Sequence, residues 1–296
     1  SRRQRQMCIR DSGNPSIAMA ATLFSSLFNV VFDYVLMFPL GLSMSGAALA
    51  TALSPIIGVL ICCIHFKSEK CSISFKPVGL SIKKLIYSCQ VGVSAFVGEI
   101  SSGVITVAFN MIILGLAGNV GVAAYGVVAN ISLVAVALFN GIAQGSQPLV
   151  SECYGKGRMK DVRYVVGLAF KTALVLAVLI IAAIYIWSDP IASIFNSEKN
   201  PELAAYAREG IRLYFIGFLF AGINIVGTSA LSAVEAVRWA FTASIMRGFV
   251  AILIFAFALS AVFGMTGVWL AFPAAELVTM LLSLTGISKS IWAKCR

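Results

Sequence analysis

Thr22, Ser26, Asn29 and Asp33 are spaced four, three and four residues apart in an otherwise apolar run. That spacing sets them on one face of an α-helix. Leu27 and Val31 fall on the opposite face. A carboxylate near the centre of a membrane helix costs about 2.5–3.5 kcal/mol on insertion scales, so the polar stripe must face protein or a water-filled cavity. Two kinds of chemistry would offset the cost. The carboxylate can take up a proton or a small cation, or it can pair with a neighbouring helix. Glu99, Ser102, Thr106 and Asn110 form a second stripe, spaced three, four and four. Glu99, Thr106 and Asn110 are candidate lining for a substrate cavity, where the carboxylate would counter a positive ligand. Glu276, with Thr279 and Ser283 on its face, makes a shorter stripe that reads better as pairing between helices. Lys171 and Arg247 lie within reach of a helix end and read as side chains that snorkel to the interface.

These residues sit in a chain of 296 residues that is 59% hydrophobic and 11% charged, with a mean hydropathy of +0.94. Soluble domains carry roughly a quarter charged residues. The apolar residues come in blocks long enough to cross a bilayer as helices, and nothing alternates as a barrel strand would. The expected class is all-α, a polytopic helical membrane protein. Eight segments are marked: 16–39, 45–66, 85–116, 123–150, 164–187, 204–234, 239–262 and 267–291. Residues 1–12, SRRQRQMCIRDS, stand apart. They match one translated frame of a common transposase sequencing adapter and read as a library scar. On that reading the chain is expected to be a fragment lacking earlier helices. The cysteines show no metal-ligand spacing and His65 is the single histidine, so neither a metal centre nor a Ser/His/Asp triad is expected.

Charge alternates from loop to loop. Loops 67–84, 151–163, 235–238 and 289–296 hold thirteen Lys and Arg, whereas 40–44, 117–122, 188–203 and 263–266 hold only Lys199. Lys/Arg-rich short loops face the cytoplasm, so 67–84 and 151–163 are expected there. The basic surplus thus reports topology and gives no reason to expect a nucleic-acid partner. An internal echo accompanies it. Met44-Ser45-Gly46-Ala47-Ala48-Leu49-Ala50 returns as Met265-Thr266-Gly267-Val268-Trp269-Leu270-Ala271, 221 positions on. Each opens the helix after an outer turn. Such repeats mark secondary transporters and predict a six-helix unit used twice, a 6+6 pseudo-repeat whose first four helices are missing here.

The stretches GNPSIAM, NVVFDY, SGAALAT, VSAFVGEISSG and SQPLVSECYGKGRMKDV resemble the multidrug and toxic compound extrusion (MATE) transporters, from their fifth to twelfth helices. The resemblance covers residues 13–296. It implies that 13–66 are the last two helices of an N-terminal lobe, 67–84 a basic linker, and 85–296 a six-helix C-terminal lobe. It also implies that Asn29 and Asp33, with Thr51 on the next helix, bind the coupling cation, H⁺ or Na⁺, and that Glu99 matches a family acid. An acid that some members carry on the tenth helix has no counterpart here; Asn224 is the nearest polar residue. The expected activity is cation-coupled antiport of amphipathic, often cationic organic compounds by a monomer in the cell (plasma) membrane. The only metal expected is Na⁺ at Asp33, and the expected partners are membrane lipid and small substrates. A lipid-precursor flippase would call for a more basic cavity. A membrane-embedded lipid enzyme would call for clustered carboxylates or a His/Cys pair.

Overall fold

The computed structural model describes residues 15–65, 82–195 and 200–293; the side chains of 15–19, 22, 62, 64–65, 83–102, 189 and 191–195 lie outside that description. Residues 1–12, most of the 67–84 loop, and the side chains of Thr22 and Glu99 are therefore outside it. The chain divides into two compact units, Ser1–Ser81 and Ile82–Arg296.

The first unit contains α1 (Pro15–Met37) and α2 (Ser43–His65), packed as an antiparallel hairpin. Small residues form the seam. Ala21 and Ala50 are fully or nearly buried, and Gly46 lies against the backbone of Leu36. Two serines lock it. Ser25 Oγ donates to the Ser54 carbonyl at 2.6 Å, and Ser54 Oγ returns a bond to the Ser25 carbonyl at 3.0 Å. Close backbone approach with hydroxyl bonds across it is how helices associate when apolar burial gives no advantage over lipid.

The second unit contains α3 (Ile82–Gly155), α4 (Met159–Phe195), α5 (Pro201–Ile216), α6 (Phe218–Ala233), α7 (Val237–Ile245) and α8 (Ala251–Ile287). A single π-helical turn, Met246–Val250, joins α7 to α8, and a second, Ser288–Trp292, follows α8. Two apolar helical stretches, 53 and 56 residues long, are about twice a bilayer crossing. Each is a hairpin, reversed at Gly118 or Gly264. Phe109 stacks on Tyr125 across the first reversal, at 5.4 Å. α5 begins on an Asn200 cap, whose Oδ1 accepts from the amides of Glu202 and Leu203, with Pro201 in the first turn. α5 and α6 bend by 45° at Gly217. Thus the helical segments marked in the sequence recur, with pairs fused across tight turns.

The echo at 44 and 265 has a backbone basis. The residue before each copy, Ser43 or Gly264, has a left-handed φ, 48° or 59°. The glycine three positions later, Gly46 or Gly267, packs on the backbone of the preceding helix. Gly118 repeats the left-handed φ, at 61°, but the glycine three positions on, Gly121, lies against the side chains of Ala117 and Ile113 and not against backbone. A Cβ on Gly267 would lie 1.9 Å from the Leu259 carbonyl oxygen, closer than any atom can sit.

α6 is the central helix of this unit. Ten of its sixteen residues are buried, and it packs on α3, α4 and α8. Phe139, Phe215, Phe218 and Trp269 form the aromatic part of the surrounding core. At the end expected to face the cytoplasm, Arg163 lies 5.9 Å from the Trp292 ring and Lys289 lies 5.4 Å from that of Trp239. Both are in cation–π range.

Gly264 has φ 59° and ψ −133°, a region open essentially to glycine alone. Gly264→Ala is expected to cost about 1–3 kcal/mol and to lower the melting temperature in detergent. Gly115→Ala, whose Cβ would enter open space, is expected to be neutral or stabilising.

Candidate functional site

The hairpin of α1 and α2 holds the first group of polar residues. Ser25 pairs with Ser54 and Leu36 with Gly46, which sets the antiparallel register. Thr51 then lies level with Asn29, one turn along from Asp33, and the 100° step per residue puts all three on the same side of the seam. Asn29 and Asp33 are half-buried and Thr51 is exposed. The Thr51 hydroxyl donates to the Ala47 carbonyl at 3.0 Å, so its lone pairs remain free to accept. Asp33 Oδ1 is buried and has no hydrogen-bond partner among the described residues, nor does Asp33 form an ion pair among them. A buried carboxylate oxygen left unpaired is costly. A bound cation or proton would remove the cost, and Asp33, Asn29 and Thr51 offer oxygen ligands of the kind a hard cation takes. Ser25 and Ser54, the residues that fix this register, are missed by the stripe analysis because Ser25 lies one position out of phase with Ser26.

The second group lies inside the second unit. Glu276 on α8 is 2% exposed and Asn224 on α6 is wholly buried. Arg247 Nε donates to Glu276 Oε1 at 2.6 Å. Asn224 Nδ2 donates to Glu276 Oε2 at 2.6 Å and to the Glu276 carbonyl at 2.8 Å. Arg247 sits in the π-helical turn, a distortion often found at functional positions. Its expected snorkelling is thereby corrected: a buried carboxylate across the hairpin holds the guanidinium more strongly than the helix end does. Glu276 is paired between helices, as its stripe predicts. Lys171, by contrast, is exposed on α4 and lines a surface groove with Lys160 and Arg163.

A cavity of about 600 Å³ opens beside this pair. Its lining includes Ile105, Phe109, Tyr125, Tyr214 and Phe272, with Arg247 and Glu276 at one wall. Thr106 and Asn110, expected to line a substrate cavity, are not in this lining. Ile105 and Phe109, one position earlier and thus 100° round α3, occupy that face instead. Glu99, the third residue expected there, lies outside the described residues. Sequence spacing alone misses Arg247 and Asn224 as site residues. The signal for Arg247 is an arginine well inside an apolar segment, by default a functional-site candidate.

Among the described residues no group of three His, Cys, Asp or Glu could hold a metal ion. The model of the family described as MatE matches residues 95–258, more than half of the chain. The chain is 29% identical over 284 residues to a multidrug export protein MepA of Staphylococcus haemolyticus, covering 93% of this chain and 60% of the relative. It is 27% identical over 279 residues to MepA of Staphylococcus saprophyticus, with the same shares. A structure described as the outward-facing conformation of a multidrug resistance MATE family transporter superposes with a TM-score of 0.84 at 19% identity, covering 94% of this chain and 63% of that one. The chain therefore spans about three fifths of the length of these relatives.

Exchanging Arg247 for Met leaves Glu276 in the core without its cation, with Asn224 as its remaining side-chain partner among the described residues. Removing one partner of a buried pair costs about 3–5 kcal/mol. The Arg247→Met melting temperature is expected to fall accordingly, and adding Glu276→Leu is expected to restore most of it, because an apolar pair replaces a buried ion pair at little cost.

Proposed function

Because the chain belongs to the MatE family, we propose that it is part of a secondary transporter that expels amphipathic organic compounds in exchange for H⁺ or Na⁺. The multi-pass helical fold and the exporters among its relatives support a transport role. The observation that carries the coupling is the unpaired Asp33 oxygen. In this reading Asp33, Asn29 and Thr51 form the coupling site. With the site empty, one carboxylate oxygen is buried without a hydrogen-bond partner among the described residues. With a proton or Na⁺ bound, its charge is cancelled. The two states differ in the energy of exposing that side of the hairpin, and a ligand shifts a conformational equilibrium only through such a difference. Outward release of substrate accompanies entry of the ion. The expected setting is the cell membrane, with the basic loops on the cytoplasmic side.

One hydroxyl and one amide beside a single carboxylate suit either ion. A flippase of lipid-linked precursors is the second reading, favoured by one observation: the cavity of the second unit presents a guanidinium.

The test is Asp33→Asn in the complete gene product. Ion-driven dye efflux from proteoliposomes is expected to fall to background, with expression and melting temperature maintained. Efflux at the unmodified rate would overturn the assignment.

A further inference from the structure

We infer that the cavity of the second unit takes an anionic group, a carboxylate carried on an aromatic body, at the guanidinium of Arg247. The electrostatics of the wall point that way. Both oxygens of Glu276 are occupied, one by Arg247 Nε and the other by Asn224 Nδ2. With its side chain only 3% exposed, Glu276 has little surface left to meet a ligand. Arg247 is 29% exposed and spends only Nε on the pair. Its two terminal nitrogens carry no hydrogen bond among the described residues. They form the outer fork of a planar guanidinium, the geometry that matches a carboxylate with two parallel bonds.

Glu276 also orients that fork. It fixes Nε and so fixes the plane, leaving the remaining donors directed by the same bond that cancels the carboxylate. Among the described lining residues Arg247 is the only cation and Glu276 the only acid. A ligand therefore meets donors here and no free carboxylate. The rest of the wall fits an aromatic body. Tyr214 and Phe272 stack at 4.2 Å with their planes 6° apart, and Phe109 and Tyr125 stack at 5.4 Å. A space of about 600 Å³ is within the range of sites for drug-sized ligands. Ser229 and Ser232 at its margin already donate to backbone carbonyls, at 3.3 and 2.9 Å.

The inference rests on the transport reading for what enters the cavity, but it is independent of the coupling ion. It departs from the expectation that the cavity is built for cations. The test uses dansylglycine, its neutral amide, and the cationic dansylcadaverine, titrated by fluorescence into the detergent-purified complete gene product. No ion gradient is present, so the outcome is separate from that of the Asp33 efflux test. Hydrogen bonds to charged groups contribute about 1.5–3 kcal/mol. Dansylglycine is therefore expected to bind roughly tenfold or more tightly than its amide, and more tightly than dansylcadaverine. The double variant Arg247→Gln/Glu276→Gln removes both charges together, so no buried carboxylate is left uncompensated. It is expected to erase the preference for the carboxylate. Equal binding of the acid and the amide by the unmodified protein, tighter binding of the amine, or an undiminished preference in the double variant would each overturn the proposal.

Discussion

Arg247, Glu276 and Asn224 form one hydrogen-bonded unit, and the interior of the second helical unit is arranged around it. An isolated carboxylate at that depth would be prohibitively costly. Two bonds of 2.6 Å to its oxygens, one from Asn224 on α6 and one from Arg247 in the π-helical turn, make it tolerable. Asp33 stands in contrast. One of its oxygens is buried with no bond at all among the described residues. The same constraint, that a charge among apolar helices must be neutralised, is met from within at Glu276 and left open at Asp33. A group already neutralised by fixed neighbours serves structure and orients its partner. One left unneutralised is, in the proposed function, the group that would trade ions.

Small residues and hydroxyls let the helices that hold these groups approach closely, beside the aromatic core of the second unit. In the hairpin this is the Ser25–Ser54 pair and the Ala21–Ala50–Gly46 seam. In the second unit it is α6, where Ala221, Gly222, Gly227 and Ala230 are buried. A Cβ on Gly222 would lie 2.6 Å from the ring of Phe139. Lipid tails are as apolar as leucine, so close packing and hydrogen bonds must decide which helices meet. Packing this tight resists gradual deformation, which would suit the alternation between states that the proposed transport requires.

Hydropathy and loop charge made the helices and their approximate limits legible, because a bilayer dictates segment length. The echo of 44–50 at 265–271 was legible too, but its cause was not. The left-handed backbone at Ser43 and Gly264 leaves no mark on side-chain type, since one position is serine and the other glycine. The Asp33 stripe could be read from spacing. The Ser25–Ser54 lock could not, because one residue of phase separates it from that stripe. Arg247 was the largest miss. Its partner, Glu276, comes from α8 beyond the turn, and the π-helical turn shifts the helix phase just where spacing would be counted. Thr106 and Asn110 show the limit of a stripe: spacing tells which residues share a face, and packing alone decides where that face looks.

The account stands on Asp33 being the carboxylate that a mobile ion neutralises. Infrared difference spectra of the complete gene product, labelled with ¹³C at aspartate side chains, test this without reference to transport. Spectra are taken on adding Na⁺ at fixed pH, and separately on acidifying through the neutral range. The account predicts that a single aspartate carboxylate band shifts or disappears in at least one of the two titrations. Aspartate bands unchanged in both would contradict it.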